Sequence, residues 1–526
     1  MLHRIILSTI VLYHMSILTI CAQIVNNGAA ITISSGATLR LETSLLNNAG
    51  TLQNNGIIEV AGSFTNSASF TSGTNSLVKF TGAATASVTS GSGIFQHVEL
   101  AKTAQTVQLT DDMTIQGQLD FSAPANKLIL GDNDVILGSA ATITGAGSDK
   151  YLATNGTGIV RKNITQSGTF TFPVGDLTGS RYTPLTIAYT GSMTTLANIA
   201  VKVSDVVHPS KPADADAFIT RYWSVSGSGI SNYNATCTGT YLSDDVSGTA
   251  ALIKGASYSS SAWNYAGASG STLNVVGTVS ALNGDFTGTN FFGRATLKVF
   301  LAGPLSGTTM TTALNSLLPL TTPYTAAPWN APSVTVTSVP ATATDWVLVE
   351  ARDPDNPATI IAQSSGFLLS DGSIVAPNGS SFQIKNALPT SIIAIHHRNH
   401  LSIRTPAGLN LVTPALHDFT TAGSQAYVNP AISNPNMHQI GTVFAMWAGN
   451  ANSNLNIRYT GPFNDNTVLL NTILSGSKSA ILSNVYSLGD FNMNGTVRYT
   501  GPFNDNTVLL NFTLGGSKSA IYTQHL

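Results

Sequence analysis

Asp490, Asn492 and Asn494 place oxygen-bearing side chains at alternate positions just before Gly495 and Thr496. Calcium takes roughly six to eight hard oxygen ligands, and such a turn offers three side chains plus the Thr496 carbonyl. The glycine permits the sharp bend. Gly501 stands where a calcium loop usually ends in an acid, so Asn504 or Asp505 must be brought round by a longer loop. The apolar, helix-like run 507–514 follows. An upstream copy of the segment reads Asn450, Asn452, Asn454 and Leu455, with neither acid nor glycine, which leaves Asp465 as its charged ligand. Few carboxylates imply weak Ca²⁺ binding, roughly 0.1–1 mM as in extracellular modules. The same residues also suit an Asn-rich turn held by side-chain-to-backbone hydrogen bonds.

The two copies form the sharpest repeat in the chain. Residues 449–481 align with 489–521 at an offset of 40, with 24 of 33 positions identical, and 458–471 recurs unchanged at 498–511. Other chemical signals are sparse. His396, His397 and His400 have metal-ligand character, but neighbouring residues on an alternating strand face opposite ways, which works against a shared zinc site. Ser475-Gly476-Ser477-Lys478 fits S-x-x-K without the companion elements of that chemistry, and no H-E-x-x-H, G-x-S-x-G or P-loop occurs. The acid pairs Asp111-Asp112 and Asp244-Asp245 sit at turns, where Asp is the ordinary residue. Cys237 reads as a small hydrophobe within a strand. No catalytic residue and no organic cofactor is expected.

The elements that would position these residues are strands. Only 48 of 526 residues are charged, 9% of the chain against roughly 25% in average domains. Ser, Thr, Asn and 47 Gly take their place, a mixture that favours strands and turns. With a formal net charge of −2 and no basic face, nucleic acid is not an expected partner. Residues 1–4 carry positive charge, an apolar run fills 5–20 and Cys21-Ala22-Gln23 follows, the pattern of a secretory signal peptide cleaved after Ala22. A lipoprotein acylated at Cys21 is the rival reading. No later stretch is long and apolar enough to span a membrane as a helix. If the leader is removed, Cys237 has no partner for an intrachain disulfide.

From 23 to 150, short period-2 runs such as Ile57-Ile58-Glu59-Val60 and Val78-Lys79-Phe80 recur every 7 to 20 residues, with pairs at Asn26-Asn27, Asn47-Asn48 and Asn54-Asn55. Strands this short bury a face only by stacking on neighbours, which predicts a parallel β-solenoid with Asn ladders at its corners. Longer runs follow at 151–205, then a Pro-containing stretch, 205–216, that reads as a linker. An Ig-like β-sandwich is expected over 206–292, a β-rich module over 297–430 and tandem dockerin-like repeats over 440–526. The expected class is mainly β: an N-terminal solenoid, central sandwich and small C-terminal module with two loop-helix repeats.

The paired loop-helix pattern resembles dockerin-type calcium repeats. More broadly, residues 297–526 look like a module that ends many exported multidomain proteins of Bacteroidetes-type bacteria. The shared signatures are Asp345-Trp-Val-Leu-Val-Glu350, His397-Arg-Asn-His-Leu401 and the Gly489-Asp490-x-Asn492-x-Asn494-Gly495 turn. Phe172-Pro-Val-Gly175 and Arg221-Tyr-Trp-Ser-Val225 carry a similar likeness. The resemblance implies a protein secreted from, or displayed on, the surface of a Gram-negative cell, and implies no reaction. The primary expectation is a non-enzymatic structural or adhesive protein that engages extracellular glycans, matrix or a partner protein. A carbohydrate-active or polysaccharide-binding component docking through its repeats, or a self-assembling surface-layer or filament subunit, are the alternatives.

Overall fold

The computed structural model describes residues 9–12, 17–20, 23–103, 105–179, 181–265 and 274–526. Most of the expected leader, Cys21 and Ala22 included, lies outside the described residues. Within that segment, Thr9–Leu12 and Ile17–Ile20 are strands paired in parallel with the first rung, at Ala30–Ile33 and Thr38–Leu41. The chain is mainly β and divides into two compact units, Met1–Asn290 and Phe291–Leu526. No helix among the described residues is long and apolar enough to cross a membrane.

The first unit opens as a parallel β-solenoid of about seven turns. Each turn contributes a strand to each of two parallel sheets, and the alternating runs put one apolar side chain per turn into register. One column stacks Leu39, Ile58, Val78, Val98, Leu119 and Ile143; the facing one stacks Ile24, Leu45, Phe64, Val88 and Leu109. Burial alternates accordingly, with Ile58 and Val60 inside and Ile57 and Glu59 at the surface side. Phe64, Phe70 and Phe95 fill a wide stretch of the core with ring centroids 5.2–5.4 Å apart.

The corners are built as the Asn pairs predict. Asn26 Nδ2 donates to Asn47 Oδ1 (2.8 Å), Asn47 Nδ2 to Asn66 Oδ1 (2.7 Å) and Asn66 Nδ2 to the Ser90 carbonyl (2.8 Å). All three amides are buried, so each donor spent on the next rung is one that water cannot replace. Substituting Asn47 by Ala removes its bonds to Asn26, Asn66 and the Ser69 carbonyl, with an expected loss of about 1–3 kcal/mol. The midpoint of urea unfolding should fall correspondingly; an unchanged midpoint would mean the ladder only decorates the turn.

Beyond the solenoid the sheet changes direction without ending. Val160–Asn163 pairs in parallel with Val135–Leu137 and, on its other edge, antiparallel with the 20-residue strand Leu185–Ser204. That strand pairs along its length with Tyr222–Thr240, which in turn pairs with Asn274–Val279 and Gly284–Asn290. One buried core runs from Ile24 to Phe286, so the expected boundaries at 150 and 205 fall inside continuous packing. The stretch 205–216 is packed loop and not a free linker. His208 within it is buried against Tyr222, Tyr258 and Trp263 and sits 3.2 Å from Asp285. Cys237 is buried in Tyr222–Thr240, and burial pushes its thiol up to about 12, which makes it the inert hydrophobe its setting predicts.

The second unit centres on an antiparallel sheet ordered Ile374–Val375, Ile360–Leu369, Ala343–Arg352, Thr390–His397, His400–Arg404. Ala343–Arg352 is buried on both faces through Ala351, which explains its nearly unbroken apolar text. The repeats belong to the same unit. Arg398 donates to the Ser487 carbonyl, Asn399 Nδ2 to that of Asp490 (2.8 Å), and Leu401 joins the core of the repeats.

Candidate metal centre in the C-terminal repeats

Each repeat is a loop, a three-residue strand and a short helix. Asn504 caps the second helix by accepting the Thr507 N–H (2.8 Å), and the helix starts at Asp505 and loosens into a π-turn over Val508–Thr513. Asn464 does the same ahead of Asp465. The copies interlock across an approximate two-fold relation. Asn456–Arg458 of the first pairs with Ile521–Thr523 after the second, while Ile481–Ser483 pairs with Thr496–Arg498. Tyr459 and Tyr499 meet at 3.0 Å between hydroxyls, each hydrogen-bonded at 2.9 Å to an Asn of the other copy, Asn506 and Asn466. Duplication thus shares one apolar core between two units too small to have their own.

The structure brings the second-copy residues together. Asp490 and Asp505 are both fully buried. Asp490 accepts the N–H of Asn494 (3.1 Å) and Gly495 (2.8 Å), and Asp505 those of Phe491 (2.8 Å) and Arg498 (3.0 Å). Asn492 Oδ1 and Asn494 Oδ1 turn back onto the N–H groups of Asn494 (3.2 Å) and Thr496 (2.8 Å). Asp505 bridges from the helix start to the loop start, which answers how an acid outside the usual position reaches the turn. Gly495 has φ +80°, a conformation that its counterpart Leu455 would adopt only at a cost.

The electrostatics favour a cation. Burial pushes the Asp505 carboxyl up to about 8, and the nearby Asp490 charge adds to the rise. Asp490 is also raised by burial, against its backbone donors and the Arg398 guanidinium, which is the compensating charge already present. A carboxylate has about four lone-pair sites, and two backbone bonds at each acid leave room for a metal ion. Asp490, Asp505, Asn492, Asn494 and the Thr496 carbonyl therefore fit Ca²⁺ in donor type, with two charges among them. Among the described residues no group of three or more His, Cys, Asp or Glu could hold a metal, so any such ion depends on the amide and main-chain oxygens.

The first copy is the same turn with less charge. Asn450 bonds to Asn454 in both directions (2.8 and 3.1 Å), Asn452 Oδ1 accepts the Asn454 N–H (3.1 Å) and Asn454 Oδ1 the Asn456 N–H (2.8 Å). Asp465 accepts from Ala451 (2.8 Å) and Arg458 (2.9 Å), and burial lifts its carboxyl to about 7. With one acid and Asn450 in place of Asp490, this loop is the Asn-held turn.

Sequence reasoning overlooked Phe463 and Phe503. Both are 84% exposed and both hold φ +53°, a left-handed conformation that bulky residues rarely adopt. The Phe463 and Phe503 carbonyls are pinned by Asn452 Nδ2 (2.7 Å) and Asn492 Nδ2 (2.8 Å). The exact recurrence of Gly-Pro-Phe-Asn in the two copies was the available signal. The remaining sequence candidates are engaged with other protein groups. His396 contacts Glu350 and His397 contacts Asp345, each at 3.0 Å, so the adjacent rings serve different carboxylates and share no metal. Asp111 accepts backbone N–H groups of Ser90 and Gly91, Asp112 that of Asp134, and Asp245 is paired with Arg221 and Arg181. No family model, curated protein or solved structure matches the chain.

Proposed function

We propose that the protein is an exported scaffold of the cell surface, with the solenoid as its structural part and the Ca²⁺-organised repeats as its contact module. The observation that carries this reading is the twin presentation of Phe463 and Phe503. Two identical loops each hold an aromatic ring in water on a strained backbone, an arrangement that stability alone would not favour and that a binding surface would use. The uncharged Ser-, Thr- and Asn-rich exterior suits glycans or matrix proteins, which are met through hydrogen bonds and flat apolar contact.

The test is binding of the full chain to an array of glycans and matrix proteins, in Ca²⁺ and in EDTA. Binding should appear, weaken in EDTA, and fall at least about tenfold in F463S/F503S, since exposed aromatic anchors dominate such contacts. No binding by the wild type would remove the adhesive reading, and unchanged binding by the double variant would place the surface elsewhere. One observation favours self-assembly as a second reading. The edges of Ile24–Ile33 and Thr38–Leu41 are covered here by strands of the expected leader, so leader cleavage would open two parallel edges to another chain.

A further inference from the structure

We propose that Ser402, His396 and Glu350 form a nucleophile, base and orienting acid that hydrolyse short-chain acyl esters in a cavity of the second unit. Ser402 Oγ lies 2.7 Å from His396 Nδ1, and His396 Nε2 lies 3.0 Å from Glu350 Oε2, close enough for an ion pair though off the line of a hydrogen bond. Their strands fix this order. Leu348 to Arg352 pair with His396 to Ile392, which sets Glu350 beside the His396 strand, and the turn at His397–His400 folds Ser402 back beside His396.

The carboxylate selects the tautomer. A lone pair on Nε2 would face the Glu350 charge, so the proton sits on Nε2 and leaves Nδ1 to accept from Ser402. Glu350 is itself held rigidly: Arg352 donates from Nε (2.8 Å) and Nη2 (2.5 Å), and Gln363 Nε2 donates to Oε1 (3.0 Å). Burial raises its carboxyl, and the stronger opposing pull of His396, Arg352 and Gln363 brings it down to about 2, so it is charged at neutral pH. This is the constellation that general-base activation of a hydroxyl requires.

All three residues line a cavity of about 450 Å³. Trp329, Ile360 and Leu455 give it apolar wall for an acyl chain. In the first step Ser402 Oγ bonds to the acyl carbon as the ester C–O bond breaks, and the serine proton passes through His396 Nδ1 to the departing alkoxide. Water then adds to the acyl carbon, gives its proton to His396, and the acid leaves as Ser402 is reprotonated. Ester and water become acid and alcohol, with no other reactant. The assignment does not rest on the scaffold reading, although Asn450, Asn454 and Leu455 of the first repeat loop line the same cavity.

The full chain should be treated with a biotinylated fluorophosphonate, whose fluoride is displaced as Ser402 Oγ bonds to phosphorus. One adduct is expected, mapped to Ser402 and absent from S402A and H396N. Hydrolysis of p-nitrophenyl acetate should fall by about 10²-fold or more in H396N, the usual worth of a general base, and to the uncatalysed background in S402A, which lacks the nucleophile. In E350Q, which keeps the shape, the pH–rate profile should shift as well as the rate, a change that loss of packing would not produce. Melting curves identify any variant that fails to fold, and the wild-type labelling decides without them. A wild type that remains unlabelled, or labelling that survives in S402A, overturns the assignment.

Discussion

Replacing Arg221 by Met is expected to destabilise the first unit by about 3–5 kcal/mol, the usual result of stranding buried charges. Arg221 is fully buried and donates to three carboxylates: Asp245 from Nε (2.6 Å) and Nη2 (2.9 Å), Asp205 from Nη2 (2.8 Å) and Asp176 from Nη1 (3.0 Å). Methionine matches the volume and supplies no charge. Asp245 then keeps only Arg181 (2.8 Å) among its cationic partners. Melting should fall by on the order of 10 °C. The loss should be smaller at pH 5 than at pH 8, because a buried carboxyl without its cation has a raised pKa and becomes neutral as pH falls. Adding D245N should return part of the stability, a coupling of roughly 0.5–3 kcal/mol. Equal losses at both pH values, with additive substitutions, would show that packing of the side chain matters and its charge does not.

Calcium should raise the melting temperature of the second unit, and the rise should grow with pH. At about 10 mM Ca²⁺ and a dissociation constant of roughly 0.1–1 mM, the gain is about 1.5–3 kcal/mol. The pH dependence follows from Asp505, whose carboxyl is raised in the folded chain to about 8. A carboxyl raised on folding contributes its stability below the unfolded value of about 3.9 and loses it as pH climbs through the folded value. The metal-free protein should therefore weaken between pH 5 and pH 8, and Ca²⁺ should restore it most at the upper end. Calorimetry of the full chain with Ca²⁺ or EDTA reads both effects. In D490A the calcium response should vanish, since a single acid remains at the site. A response that survives D490A would move the ion elsewhere, and no response in the wild type would leave both loops as Asn-held turns.

Much of the architecture was legible because it depends on local pattern. In a solenoid, neighbours in space are one turn apart in sequence, so runs like Ile57–Val60 and the recurring Asn pairs carry both the strand and its partner. The repeat was equally visible, and the residues from Asp490 to Thr496 do form one turn closed by side-chain-to-backbone bonds. What escaped were pairings over long separations. The linker reading of 205–216 failed because His208 finds Asp285, 77 residues away, and the boundary at 205 dissolved because Leu185–Ser204 pairs with Tyr222–Thr240. Phe463 and Phe503 went unread, because only the fold shows them 84% exposed on a left-handed backbone.

By itself the sequence determined the strand-rich class, the stacked rungs, the duplicated turn and the scarcity of charge, since each is a matter of residue type and period. Only the tertiary structure decided where the few charges gather. Arg221 with Asp176, and Glu350 with His396, join residues 45 and 46 apart in sequence. The physical reason is that burial makes an isolated charge costly, so in a charge-poor chain each buried ion must find its partner wherever the fold brings one.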